Sequence, residues 1–163
     1  MKGRITMATV IVNGKEETTV REGLLRVVTG TIEFSSAGDA DVVRLTDEVR
    51  EALAQSGLKD GTLTVFAPGA TAAVTTIEYE PGVVQDFRQV LDEIVPPGRT
   101  WQHNSNNGDG NGHSHVRAAM LGPSLTVPFV DGRLTLGRWQ EIVFVDLDER
   151  PRDRRLIVQA MGV

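Results

Sequence analysis

The hydrophobic and polar positions change their period along the chain, and each period indicates a different element. Residues 5–12 are rich in β-branched side chains and precede Asn13-Gly14, a two-residue turn typical of β-hairpins. With residues 18–20 as the partner strand, the chain is predicted to begin as a hairpin. Polar and apolar side chains then alternate over residues 29–35, as they do in a half-buried strand.

Apolar side chains recur at helical spacing in two segments, residues 41–56 and residues 82–95. Gly57 is placed to end the first predicted helix, and a Pro-Pro-Gly sequence at residues 96–98 ends the second. Segments rich in Thr, Val and Ala lie between the two helices and are predicted to be strands. These strands are residues 62–66 and 71–77.

Residues 102–114 contain no apolar side chain. Such a segment cannot form a packed element, so it is predicted to be one long loop. A short helical turn is expected at residues 114–121, with Ser114 as its cap and Gly122 at its end. The remaining pattern predicts an antiparallel meander of three strands at residues 125–130, 134–148 and 155–161.

The order of these elements favours one fold class. Strands, a helix, two strands, a second helix, a loop and three strands form an α+β arrangement, in which mainly antiparallel sheets pack with two main helices. The 163 residues have the length of one ordinary domain. We therefore predict a single α+β domain spanning residues 1–163.

Charge and composition exclude several classes of function. The net charge is −5, so the chain lacks the basic surface with which proteins neutralise nucleic-acid phosphates. It has no cysteine, and any bound metal must be held by nitrogen and oxygen ligands. The sequence shows no signal-peptide pattern and no apolar run of about 18 residues. We expect a soluble, cytoplasmic protein that binds neither nucleic acid nor membranes.

All three histidines, His103, His113 and His115, lie in or beside the polar segment. Imidazole suits zinc and other transition metals better than magnesium. His113 and His115 would point to one side of an extended backbone but diverge by about 200° in a helix, so the pair requires a non-helical His113. With Asp109 as a further ligand, these residues are a candidate site for a divalent metal ion. The alternative is a mobile, solvated loop whose histidines contact nothing.

Other polar residues are candidates for catalysis or for anion binding. Glu78 at a strand end and Asp86 in the second helix could serve as acid or base beside His115, although an acid near a helix start also stabilises the helix dipole. Arginines grip phosphate bidentately, or else form surface ion pairs with nearby acids. The candidate anion-binding residues are Arg117, Ser124, Arg138, Arg152 and Arg154.

Residues 113–128 and 132–140, taken in order, are similar to the signature of YjbQ-like proteins, known as secondary thiamine-phosphate synthase enzymes. The match also includes the Pro-Arg-x-Arg sequence at residues 151–154 and covers roughly residues 60–160. The resemblance implies a compact α+β subunit and a homotrimer. It also implies a site near the subunit boundaries in which histidines bind a metal ion or an anion.

The same resemblance assigns individual residues. His103 and His115 match two motif histidines, and Glu78 and Asp86 match the motif acids. The family's third histidine has no counterpart here, because Gly69 stands in its place. Either His113 or Asp109 then substitutes for it, or this chain does not bind metal in the family's manner.

Two functions follow from these residues and from the resemblance. The first is a metal-dependent enzyme with weak thiamine-phosphate synthase activity, which joins a hydroxymethylpyrimidine diphosphate to a thiazole phosphate and releases pyrophosphate. A zinc-type hydrolase acting on another small phosphorylated metabolite is an alternative within the enzyme class. The second is a non-enzymatic trimer that binds a metal ion or a small anionic metabolite.

Overall fold

The structure is a computed structural model and describes residues 21–163, so the predicted N-terminal hairpin lies outside the described residues. The described residues form eight strands and four helices. The strands are β1 (Arg26–Ser36), β2 (Asp41–Arg44), β3 (Gly61–Phe66), β4 (Ala72–Ile77), β5 (Ser124–Val130), β6 (Arg133–Leu134), β7 (Glu141–Asp146) and β8 (Arg152–Gly162). The helices are α1 (Thr46–Ser56), α2 (Pro81–Ile94), α3 (Gln102–Asn107) and α4 (Gly112–Leu121).

The strands form two antiparallel sheets. Five strands are ordered β1-β8-β3-β5-β6, and three are ordered β2-β7-β4. The predicted α+β class with mainly antiparallel sheets is therefore confirmed.

The three-stranded sheet is buried on both faces. One face carries Phe144 and Val74, which pack with α1 and with the five-stranded sheet in the larger core. The other face carries Val143 and Ala73, which pack with apolar side chains of α2 and α4 in the smaller core. Because successive side chains of a strand point to opposite faces, the middle of β7 must be apolar on both faces, and residues 142–145 are. This second core positions α4, which carries two of the three histidines.

The first predicted helix is wrong in its first turn. Residues 41–44 form strand β2, and the helix begins only at Thr46. Val42 and Val43 match a helical period, but they pair with Val145 and Phe144 of β7, so sheet pairing decides their conformation. The buried Thr46 hydroxyl then accepts a hydrogen bond from the Ile142 amide, which fixes the start of α1 against β7.

The predicted three-stranded meander is also wrong. Its middle segment is interrupted by a turn in which the Gln140 amide donates to the Gly137 carbonyl, 3.0 Å away. After this turn β7 joins the three-stranded sheet, and β8 lies between β1 and β3 instead of beside β7. Pairing partners far apart in sequence therefore decide the topology.

Gly162, at the end of β8, lies so close to the backbone of Asp60 and Gly61 that a side chain cannot be added without movement. A Cβ atom added there would lie 2.1 Å from the Asp60 carbonyl oxygen. We expect Gly162→Ala to lower the free energy of unfolding by about 2 kcal/mol or more, because backbone must move to admit the methyl group. Gly30→Ala in β1 is the matched control, since an added Cβ there meets nothing within 4 Å. Urea unfolding that gave equal midpoints for the two variants would contradict this prediction.

Candidate functional site

The segment predicted to be a long loop folds instead into α3 and the first turn of α4. Gly108 ends α3 in the left-handed conformation, with a φ of 71°. The Asn104 side chain then accepts a hydrogen bond from the Gly112 amide and donates one to the Gly110 carbonyl, at 2.8 and 3.1 Å. These bonds hold the two helices together across a short turn. Local side-chain hydrogen bonds thus replace the apolar contacts that this segment lacks.

His103 on α3 and His115 on α4 come together. Their ring centroids are 4.5 Å apart, with an angle of 55° between the ring planes. His103 Nε2 lies 2.9 Å from an Asp109 carboxylate oxygen. That approach is misaligned for a hydrogen bond, so the buried Nε2 has no hydrogen-bond partner among residues 21–163. The Asn107 side-chain amide lies 3.0 Å from the other ring nitrogen.

His113 does not join this pair in the way that the sequence predicts. It lies in the first turn of α4, so the required non-helical backbone is absent and its ring diverges from that of His115. The His113 side chain is buried, and its Nδ1 has no partner in the described part of the chain. Burial lowers the pKa of His113, and the positive charge of Arg117 lowers that pKa further. Between residues 21 and 163, no three His, Asp or Glu side chains are grouped as a metal site would require.

A cavity of about 260 Å³ opens beside His115. Its other walls are small or apolar and come from the segment before β4, from α4 and from the start of β5. They are Gly69, Ala70, Ala72, Ala118, Ala119 and Pro123. The imidazole is thus the one titratable side chain that lines this cavity in the described residues.

The candidate arginines differ in what they contact. Arg117 is buried and donates to the Val95 carbonyl and to Asp92, so it joins α4 to the end of α2. Arg138 is exposed and stacks on Trp139, 4.7 Å from the ring centroid. Neither position faces the cavity beside His115. Arg117 is therefore structural here, and the prediction that it binds a phosphate is not supported by its geometry.

Arg152 and Arg154 hold two buried acids that sequence reasoning did not single out. Arg154 donates to Asp146, and Arg152 donates to Asp148. Burial by itself would raise the pKa of Asp148, but the hydrogen bonds from Arg152, the Glu149 amide and Thr71, together with the charge of Arg152, outweigh it and leave the pKa below its ordinary value. The acids follow the apolar run of β7, and that position was the signal that could have revealed them.

The remaining candidates are exposed. Glu78 follows β4, Asp86 lies on α2, and Ser124 begins β5. The side chains of Glu78 and Asp86 take part in no hydrogen bond or ion pair with the residues that the structure describes. The structure therefore brings together His103, His115 and Asp109, and leaves the two acids apart from them.

Comparison with known proteins places this geometry in a family. The family model for "UPF0047 protein YjbQ-like" matches residues 30–163. The chain belongs to the YjbQ-like family. A UPF0047 protein of Methanothermobacter thermautotrophicus is 35% identical over 138 residues, which cover 85% of this chain and 94% of that protein. A UPF0047 protein of Archaeoglobus fulgidus is 33% identical over 130 residues, which cover 80% of this chain and 98% of that protein.

The YjbQ-like fold is also seen in solved structures. A YbjQ-like protein of unknown function from Sulfolobus solfataricus superposes with a TM-score of 0.82 at 33% identity, covering 86% of this chain and all of that one. A conserved YjbQ/UPF0047 protein from Clostridium acetobutylicum superposes with a TM-score of 0.71 at 34% identity, covering 79% and 98%. The family assignment drawn from the sequence is confirmed. Among the described helices, none has the length and apolar character needed to cross a membrane.

Proposed function

We propose that this YjbQ-like protein binds a small phosphorylated metabolite in the cavity beside His115 and acts on it with the His103–His115 pair and a divalent transition metal ion. The observation that carries the proposal is the meeting of two imidazoles, from two helices, at the edge of a cavity. Such convergence of titratable groups on a concave surface is typical of ligand sites.

The donor atoms suit a transition metal. His103 Nε2 is buried and makes no hydrogen bond within the described residues, so it is an available nitrogen ligand. The Asp109 carboxylate beside it supplies oxygen, and His115 supplies a second imidazole. The three side chains are not grouped as a preformed metal site in the described residues, so a bound ion would have to draw them together. Two imidazoles and a carboxylate would then match zinc or iron better than magnesium. His113 is left out of the proposed set, because it lies in the first turn of α4 and its ring diverges from that of His115.

The protein's own residues then have distinct roles. The Asn107 side chain hydrogen-bonds the other ring nitrogen of His103 and orients the ring. His115 borders the cavity, where its ring is placed to pass a proton to or from the bound metabolite. The small apolar walls leave room for the organic part of the ligand. A bound metal ion would add neutralisation of phosphate charge.

The specific reaction implied by the family is thiamine-phosphate synthesis. In that reaction the thiazole nitrogen forms a bond to the pyrimidine methylene carbon, and pyrophosphate leaves with the electrons of the broken C–O bond. A cavity of about 260 Å³ accommodates one small metabolite but not both substrates. Transfer would therefore need further space between subunits, whereas hydrolysis of one phosphorylated metabolite, or its binding without turnover, would not.

A homotrimer is part of this proposal. Val116 and Met120 lie on α4, one turn apart and next to cavity residues, and are 37% and 58% exposed. Exposed apolar side chains beside a site are typical of a surface that another subunit covers. Sedimentation at several protein concentrations would test the trimer directly.

Elemental analysis of untagged protein tests the site. We expect close to one transition metal ion per chain in the wild type, and a loss of about tenfold or more in His103→Ala and His115→Ala. His113→Gln is the matched control, and we expect it to retain the metal. A wild type without metal, or variants that bind it equally, would contradict the metal site.

Turnover is measured on the same proteins. Release of pyrophosphate from the two thiamine precursors, and of phosphate from simple phosphate monoesters, separates transfer from hydrolysis. His115→Ala is expected to lower either rate by about 100-fold or more. Ligand binding without any turnover would favour the non-enzymatic alternative.

A further inference from the structure

The Arg154 guanidinium uses only two of its three nitrogens in hydrogen bonds with the described residues. Its Nε and Nη2 donate to the two carboxylate oxygens of Asp146 at 2.7 and 2.5 Å, and Nη2 lies 3.5 Å from the Thr71 hydroxyl. Asp146 is fully buried, so this bidentate pair fixes the guanidinium plane. The third nitrogen, Nη1, has no hydrogen-bond partner among residues 21–163. A fixed guanidinium therefore retains a directional donor pair that the fold does not use.

The free nitrogen lies beside Gly69. A Cβ atom added to Gly69 would meet Arg154 Nη1 at 4.0 Å and nothing nearer. Gly69 has a φ of 142°, which side chains rarely adopt, so this position is kept free of a side chain. Gly69 also lines the cavity beside His115. The imidazole and the guanidinium thus border the same segment, and no side chain at position 69 separates them.

We propose that the cavity beside His115 is a subsite for a phosphate-sized tetrahedral oxyanion, and that Arg154 recognises the anion through Nη1 across the open edge at Gly69. The inference rests on the proposed function and names the residue that selects its ligand. Recognition by a preorganised donor pair costs little entropy on binding, since Asp146 has already ordered the side chain. The alanine walls leave the organic part of the ligand in apolar surroundings.

Arg154 approaches the cavity beside His115 only through Gly69, whereas it lines a second cavity directly, which suits an anion less well. This second cavity has a volume of about 480 Å³ and is bordered by Glu33, Asp153 and Arg155 as well. Two carboxylates in its wall would repel a phosphate. Among the described residues, no acidic side chain lines the cavity beside His115. A phosphate would meet less electrostatic repulsion there than in the larger cavity.

Calorimetric titration with inorganic phosphate at low ionic strength tests the subsite. We expect Arg154→Lys to weaken phosphate binding by about 10-fold or more, because lysine keeps the charge but loses the fixed Nη1 donors. Ala119→Leu is expected to weaken it similarly by filling the cavity. Arg155→Lys, next along β8 and lining only the larger cavity, should change the affinity by less than about twofold.

The variants separate the alternatives. Ala119→Leu leaves the Arg154–Asp146 pair intact, so it decides the question even if Arg154→Lys does not fold. Equal phosphate affinity in wild type and Ala119→Leu would overturn the subsite. A larger loss of phosphate affinity in Arg155→Lys than in Ala119→Leu would also overturn the subsite, because it would place the anion in the larger cavity. No phosphate binding in the wild type would overturn it too, whereas metal binding by His103 and His115 would still be decided by elemental analysis.

Discussion

Asp146→Asn is expected to lower the free energy of unfolding by about 3 kcal/mol, the largest stability effect among the predicted substitutions. Asparagine keeps the size of the side chain but removes its charge, which leaves the Arg154 guanidinium with only the more distant Asp148 carboxylate, 3.8 Å from Nη2, as a counter-ion among the described residues. Arg154 is only 12% exposed, so water cannot replace the lost partner. The Ser36 hydroxyl and the Asp148 amide, which also bond to this carboxylate, would lose the strength of a charged acceptor.

Denaturant unfolding measures this effect. Asp153→Asn is the matched control, because Asp153 is exposed at the start of β8 and bonds only to the Ser35 hydroxyl in the described residues. We expect the control to change stability by less than about 0.5 kcal/mol. If both variants lost the same small amount, the buried ion pair would contribute no more than a surface contact.

Arg117→Met is expected to lower the free energy of unfolding by about 2–3 kcal/mol. Arg117 is 2% exposed and donates Nε and Nη2 to the Val95 carbonyl, at 3.0 and 2.7 Å. Methionine keeps the length of the side chain but cannot donate, so this carbonyl at the end of α2 would be buried without a partner. The Asp92 contribution is smaller, since that carboxylate is 63% exposed.

The comparison uses Arg138→Met, which removes only an exposed contact with Trp139. This control is expected to lower the free energy of unfolding by less than about 1 kcal/mol. A thermal melt in which Arg117→Met unfolded at the same temperature as this control would show that Arg117 does not join the two helices. A further readout is the near-UV spectrum of Trp101, whose indole donates to Pro96 close to the same helix end.

The sequence analysis predicted that histidines would meet, but it did not predict the backbone conformation that carries each of them. The prediction placed all three histidines together, and the structure joins His103 to His115 because both lie on helices that meet. His113 was placed wrongly, because Asn104 and Gly112 form side-chain to backbone bonds that start α4 early. No periodicity of apolar residues could show this, since the segment has none.

The topology was predictable only in part. Strand β1 and helix α2 have clear local patterns, and both were predicted close to their observed bounds. The entry of β7 into a second sheet was not predicted, because it depends on the pairing of Val42 and Val43 with residues of β7 that are distant in sequence. Local pattern predicts which face is apolar, but not which strand will cover it.

The position of β8 has a consequence for synthesis on the ribosome. Strands β1 and β3 are made early, yet both pair with β8, which emerges last among the described elements. Strand β3 can pair with β5 before that, but β1 pairs only with β8 among the described strands. Strand β1 must therefore stay unpaired until β8 has been translated, in a state that chaperones can recognise. Arg154 lies on the same late strand, so an incompletely translated chain cannot assemble the proposed phosphate subsite.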